Sequence, residues 1–225
     1  MTAILTSAPG KLFLLGEYAV LEGAPALLTA VDARVRVRIE PAEAGAWRLD
    51  APDLGVGGLT LGADGTLPEV LDAGARKSLR VFDAVRATVL ATVRTTVHTT
   101  VHTTAAKRSG RASDIRPPAL AISIDSSDLR AGGHKLGLGS SAAVAVALTA
   151  ALARAVGLQL DRGEVFDLAN AAHRAAQGGA GSGGDVAAST YGGVLRYVRD
   201  ATPTPLIWPD GLTMLVVATG TGSST

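Results

Sequence analysis

The residues most able to do chemistry run His134-Lys135-Leu136-Gly137-Leu138-Gly139-Ser140-Ser141-Ala142-Ala143, followed by a stretch rich in Ala and Val. Glycines let a backbone approach a ligand closely and turn successive N–H groups toward it, and a helix start adds partial positive charge. The segment therefore reads as a phosphate cradle. Ser140 and Ser141 can donate to phosphate or offer oxygen to Mg²⁺, which keeps waters and phosphate oxygens as its other ligands. The plainer reading is a glycine turn with a serine cap. A Walker-type loop, G-x-x-x-x-G-K-[ST], is not found in the chain. The string from Gly137 to Ala142 does satisfy the dinucleotide pattern G-x-G-x-x-A, with Asp161 at the spacing for a ribose, so a nicotinamide-dependent dehydrogenase stays open. That pattern should begin where a strand ends, and residues 126–136 intervene.

Two further segments carry charged residues among glycines. The first is Ser7-Ala8-Pro9-Gly10-Lys11-Leu12-Phe13-Leu14-Leu15-Gly16-Glu17-Tyr18. Lysine is scarce, with Lys11, Lys77, Lys107 and Lys135 the only four among 21 basic residues, so a lysine inside a glycine motif suggests a need for a compact charge. Glu17 and Tyr18 follow Gly16 where a strand should end, able to reach a ligand or to cap a turn. The second segment is Gln177-Gly178-Gly179-Ala180-Gly181-Ser182-Gly183-Gly184-Asp185, an acid at an expected helix start. Asp185 is either a working carboxylate or an N-cap. Arg196, beyond the Gly192-Gly193 turn, is a candidate anion contact, with a solvent-facing strand arginine as the alternative.

These groups need a scaffold. Residues 4–8 and 12–16 read as short strands with Pro9-Gly10 as a turn between them, and 34–40 alternates strictly, the pattern of a strand with one wet face. Residues 41–68 suggest turns and short strands. Valine recurs every fourth residue from Val81 to Val101, so 79–104 is expected to be an amphipathic helix despite its β-branched content. His98 and His102 share a face of it at metal-ligand spacing, but no third ligand lies nearby, and a solvated helix end is the better reading. A polar linker over 107–118 precedes a strand at 119–125. Asp161 is placed to cap a helix over 164–177 that ends at Gly178-Gly179. A strand at 194–198 and a buried strand at 212–218 complete the chain.

Composition narrows the class. The 225 residues suffice for one large domain or for a domain plus part of a second. Lys and Arg number 21 against 20 Asp and Glu, so no bulk field draws nucleic acid or an anionic membrane, and an anion must be caught locally. The longest apolar run, 142–153, is short of the roughly 20 residues a bilayer requires. There are no cysteines, which excludes disulfides and thiolate metal sites and suits a cytoplasmic protein. The N-terminus has no basic signal-peptide region. Oligomeric state is not legible.

In order and spacing the three segments resemble the GHMP kinases (galactokinase, homoserine kinase, mevalonate kinase, phosphomevalonate kinase), over roughly residues 4–225. The resemblance implies an α+β fold: an N-terminal ATP-binding domain over residues 1–205, of mixed sheet and helices, then the beginning of a ferredoxin-like C-terminal domain at 206–225. The family's third glycine motif, which lies in that second domain, would fall outside the sequence, so a C-terminally truncated chain is expected, with a remnant that binds without turning over as the alternative. ATP would rest on Lys135, Gly137, Leu138, Gly139, Ser140, Ser141 and Ala142, with Ser141 on Mg²⁺. Lys11 and Asp185 would be catalytic, and Glu17, Tyr18, Lys135, Ser182, Gly183 and Arg196 would meet a small-molecule acceptor. The strings around Lys135, Ala172-His173-Arg174, Gly181–Ala188 and Tyr191-Gly192-Gly193 are most similar to the phosphomevalonate kinase branch, as is the closing 219–225. Mevalonate kinases carry a metal-binding Glu eleven residues before the acid. Arg174 occupies that position, which suits an acceptor that brings its own phosphate.

Overall fold

The computed structural model describes residues 2–43, 45–103 and 117–217, with the backbone alone for 97–103. Its frame is a seven-stranded mixed sheet. Strand β2 (Ala26–Pro41) is central: β1 (Ile4–Leu15) runs antiparallel along one edge, while β8 (Val194–Tyr197) and β5 (Leu120–Asp125) share the other, at residues 26–29 and 36–41. Beyond β5 lie β3 (Arg48–Ala51), its one parallel neighbour, and β4 (Val56–Thr60); beyond β8 lies β9 (Thr204–Leu206). The alternation expected at 34–40 is real, since Val35, Val37 and Ile39 are buried while Arg36 and Arg38 are exposed. Their faces follow from the pleat.

Helices cover the buried face. α3 (Ser140–Ala155) is mostly Ala with Val and Leu, apolar almost all round, and it lies against β1, β2, α2 (Arg80–Thr103) and α4 (Arg162–Ala176). Small side chains let it sit close to the sheet, where the Thr6 hydroxyl donates to the Ala147 carbonyl at 2.7 Å. α2 buries Val81, Val85 and Val89, but Val93 is only half-buried. A four-residue repeat drifts off a 3.6-residue helix, so the stripe leaves the core after three turns. The threonines that follow are tolerated because Thr92, Thr95 and Thr96 donate to carbonyls one turn back. The side chains of His98 and His102 lie outside the described ones.

Asp161 caps α4 in a full capping box with Glu164, which accounts for that acid structurally and removes it as a ribose ligand. A short 3₁₀ turn and the hairpin β6 (Arg130–Ala131) and β7 (His134–Lys135) separate β5 from the first glycine of the loop. The dinucleotide arrangement, strand directly into glycine loop, is therefore absent. No helix among the described residues is long and apolar enough to cross a membrane.

Two expectations fail. Pro9-Gly10 is not a turn: β1 is continuous through it, with a shift of register between Pro9 and Lys11. The reason is a close neighbour, because a Cβ on Gly10 would lie 2.7 Å from the Leu138 carbonyl oxygen and 2.7 Å from Leu129 Cδ2. The glycine serves contact, not chain reversal. The second is the buried strand at 212–218, where residues 212–217 form no strand and Leu215 is 87% exposed. An apolar strand needs a paired neighbour and a covering layer, and the described residues supply neither to this segment. The segment 219–225 lies outside the described residues.

Candidate active site

α3 and α5 (Gly184–Tyr191) begin alike. Each has a glycine in the left-handed conformation at its N-cap, Gly139 with φ 73° and Gly183 with φ 85°, a backbone that side chains rarely adopt. The second helical residue is polar in each: Ser141 in α3 and Asp185 in α5. Lys11 joins the two starts. Its side chain passes over Gly139, where a Cβ would be 2.9 Å from Lys11 Cγ, and its ammonium stands 3.6 Å from Asp185 Oδ1 and 4.8 Å from the centre of the Phe13 ring. The Lys11 backbone N–H donates to the Leu138 carbonyl at 2.8 Å, tying β1 to the loop. Two positive helix ends and one ammonium thus converge, with a carboxylate as partial balance. That is a place for an anion whose charge grows or moves.

On the outer side of the loop lies a cleft of about 340 Å³ into which Ser140, Ser141 and Lys135 face. Lys77, Arg80 and Arg130 join Lys135 in its wall, against one acid, Asp53. Asp53 is occupied, accepting from the Ser126 backbone N–H at 2.9 Å. Arg130 donates to the Gly133 carbonyl at 2.6 Å, which fixes the hairpin. Leu54, Val81, Phe82 and Val144 supply an apolar portion. A mixed cleft with surplus cations beside an N-terminal helix turn suits a flat apolar group bearing phosphates.

Behind Ser141 stands His173 of α4, 5% exposed, its Nε2 3.0 Å from Ser141 Oγ and 3.4 Å from Gln177 Nε2. Burial lowers the imidazole pKa, with the nearby Asp185 charge opposing and Arg80 adding to the shift, so the ring is held neutral. Arg174, next in sequence, takes a different course. It bonds Asp200 at 2.7 Å and the Ser182 carbonyl at 3.2 Å. The expectation that Arg174 supplies an open charge to an acceptor is corrected: that guanidinium is tied to Asp200 and to the Ser182 carbonyl.

The other expected residues are placed unevenly. Lys11, Asp185, Gly139 and Ser141 come together, and Lys135 and Ser140 face the cleft beside them. Gly137 takes φ 75° at the loop's first bend, Leu138 is half-buried, and Ala142 is buried in the first turn of α3. Ser182 is 8% exposed, its hydroxyl accepting from the Gly184 N–H and its carbonyl from the Tyr197 hydroxyl. A Cβ on Gly183 would be 2.7 Å from Asn170 Oδ1. These two residues build the α5 start. Glu17 and Tyr18 are exposed beyond β1, and Arg196 is exposed on the opposite side of β8 from buried Leu195 and Tyr197. None of the three makes an ion pair or side-chain hydrogen bond with Lys11 among the described residues. Missed from sequence were His173, Lys77, Arg80 and Asp53. The scarcity of Lys and His was the available signal for two of them.

A fit for Mg²⁺ can be judged from the donors. No group of three or more His, Cys, Asp or Glu among the described residues could hold a metal. Ser141 offers one hard oxygen at the cleft. That fits a cation carried largely by phosphates and waters, with a protein hydroxyl completing its shell.

Comparison with known proteins agrees with this geometry. A sequence profile described as GHMP kinases N terminal domain matches residues 97–193. The phosphomevalonate kinase of Streptomyces sp. strain CL190 is 38% identical over 199 residues, 86% of this chain and 49% of that protein. The mevalonate kinase of Thermococcus gammatolerans is 34% identical over 224 residues, 99% of this chain and 59% of that protein. The chain spans about half the length of the curated relatives it matches. Among solved structures, Streptococcus pneumoniae phosphomevalonate kinase in complex with phosphomevalonate and AMPPNP superposes with a TM-score of 0.59 at 24% identity, over 88% of this chain and 50% of that one. Its likeness concerns the fold. With its loop, its sheet and these matches in agreement, residues 97–193 match the GHMP kinase N-terminal domain, and the chain is similar to GHMP kinases over most of its length.

Proposed function

We propose that this chain is the ATP-binding part of a mevalonate-pathway kinase that moves the γ-phosphoryl group of ATP to phosphomevalonate, giving ADP and diphosphomevalonate. The observation that carries the reading is Lys11, 3.6 Å from Asp185, at the meeting of two helix starts and beside a cleft rich in cations. Phosphoryl transfer depends mainly on positioning and charge neutralisation, which this arrangement provides. The nucleotide phosphates rest on Gly137, Leu138, Gly139, Ser140, Ser141 and Ala142. Ser141 is the side chain that would hold Mg²⁺ carried with ATP, and the ion would supply neutralisation of phosphate charge.

The acceptor decides the role of Asp185. A phosphate monoester has a second pKa near 6 and is already ionised at neutral pH. Little proton removal is then required, and Asp185 orients Lys11 and balances its charge. Mevalonate offers an alcohol, for which Asp185 would serve as a base worth roughly 10²–10⁴-fold. Phosphomevalonate is favoured by the cations around the loop and by the 38% identity to a phosphomevalonate kinase. The mevalonate reading draws on a 34% match across 99% of the chain. Glu17, Tyr18, Ser182, Gly183 and Arg196 stay as proposed acceptor contacts. The domain division at 205/206 and a cytoplasmic location belong to the same proposal.

ADP release in the presence of each acceptor separates the readings. Release with phosphomevalonate and not with mevalonate supports the proposal, and release with mevalonate alone reverses the acceptor. Binding of ATP without ADP release would point to a noncatalytic member of the fold. Binding of NAD(P) in preference to ATP would refute the kinase reading.

A further inference from the structure

A serine at the start of a phosphate-binding helix can act in two opposite ways. It can donate its proton to a phosphate oxygen, or it can turn its lone pairs toward a cation. The surroundings of Ser141 distinguish the two. Its Oγ lies 3.0 Å from His173 Nε2, and the same ring nitrogen lies 3.4 Å from Gln177 Nε2. A glutamine amide nitrogen only donates. Gln177 Oε1 faces the other way, toward Gly181, where a Cβ would be 2.8 Å from it. With that amide N–H facing it, His173 Nε2 is the acceptor, its one in-plane lone pair taken chiefly by the nearer Ser141 hydroxyl, and the ring proton belongs on Nδ1. A hydroxyl has one hydrogen and two acceptor lone pairs, so once Ser141 gives its hydrogen to His173, only lone pairs remain for the cleft.

We infer that His173 is a positioning residue that holds Ser141 Oγ as a lone-pair donor for the cation carried on the nucleotide phosphates, and that Gln177 fixes the ring's tautomer for this purpose. The inference rests on the proposed Mg²⁺–nucleotide site at Ser141. His173 itself touches neither phosphate nor metal. It acts from α4 across to the first turn of α3, so the packing of two helices sets the chemistry of one hydroxyl. Groups that orient a metal's ligands typically matter by 10–100-fold in metal affinity.

Calorimetric titration of the purified protein with a nonhydrolysable ATP analogue, with Mg²⁺ and again with EDTA, tests this without turnover. His173→Leu should weaken binding of the Mg²⁺ complex by at least about tenfold and of the metal-free analogue by less than about twofold. His173→Gln, whose amide oxygen can stand near the Nε2 position, should recover most of the loss. Ser141→Ala should show the same metal-specific loss, and the double variant His173→Leu/Ser141→Ala should be no worse than Ser141→Ala alone. If His173→Leu does not fold, His173→Asn, polar but too short to reach Ser141, should give the same metal-specific loss. Equal weakening with and without Mg²⁺, or no weakening, in the His173 variants beside a metal-specific loss in Ser141→Ala overturns the role of His173 alone. No metal-specific loss in Ser141→Ala overturns the Mg²⁺ site and the inference together.

Discussion

Replacing Gly10 by alanine adds one methyl group at the point where β1 touches the phosphate loop. That methyl would stand 2.7 Å from the Leu138 carbonyl oxygen, 2.7 Å from Leu129 Cδ2 and 3.1 Å from Val31 Cγ2. Ordinary carbon contacts begin at about 3.5 Å, so about 0.8 Å must be found. Leu129 is fully buried and Leu138 O belongs to the backbone, so neither can rotate away cheaply. The loop must withdraw, and the 2.8 Å hydrogen bond from Lys11 N–H to Leu138 lengthens with it. Overpacking costs about 1–3 kcal/mol and the weakened hydrogen bond about 1, together roughly 2–4 kcal/mol. For a chain of this size that lowers Tm by roughly 5–15 °C. Nucleotide affinity should fall by at least about tenfold, because the same displacement moves the loop against Lys11. Thermal melting and analogue titration measure both, with Gly57→Ala, whose new methyl would meet only Asp50 Oδ1 at 3.8 Å, as the neutral control. A Gly10→Ala variant that melts and binds like the parent would refute the reasoning that the glycine exists for the loop's approach.

Other perturbations probe separate parts of the account. Lys135→Ala removes an exposed cation at the cleft and should raise KM for phosphomevalonate far more than KM for ATP in steady-state kinetics; equal effects would remove Lys135 from the acceptor side. Arg174→Ala should destabilise by about 1 kcal/mol in urea unfolding, through loss of bonds to the Ser182 carbonyl and to the largely exposed Asp200, while leaving the acceptor KM within about twofold. The Ser127 hydroxyl and N–H hold the Asp125 carboxyl below its ordinary pKa. Its contribution is complete above about pH 4 and is lost as pH falls through the depressed value, since there the unfolded chain binds the proton first. Ser127→Ala should thus be less stable than the parent at pH 7 and should converge with it in acid, as read by melting across pH 2–7.

Local signals were legible in proportion to how locally they act. The alternation at 34–40, the Asp161 cap and the glycines that end α4 are decided by neighbours in sequence, and each element formed as expected. Lys11 and Asp185 stood out because a charge among glycines has few structural uses, and the structure brings them within 3.6 Å. Gly10 misled because its reason lies at Leu138, more than a hundred residues away, and a Pro-Gly pair by itself reads as a turn. The role of His173 was hidden for the same cause: its meeting with Ser141 depends on how α4 lies on α3. Arg174 shows the cost of counting residues along a helix, since a step of one position changes direction by about 100°. Lys77 and Arg80 flank the short bend between α1 (Ala73–Ser78) and α2, and only the fold turns that bend toward the loop.

Transfer of phosphate to phosphate is the central claim, and ³¹P NMR of the purified protein with MgATP and phosphomevalonate observes it directly. The account predicts that the ATP γ-signal and the monoester signal decline together while ADP and a new diphosphate pair grow in equal amounts, and that Asp185→Asn slows this without abolishing nucleotide binding. A monoester signal that stays unchanged while mevalonate becomes phosphorylated, or ATP that binds and is never consumed with either acceptor, would contradict it.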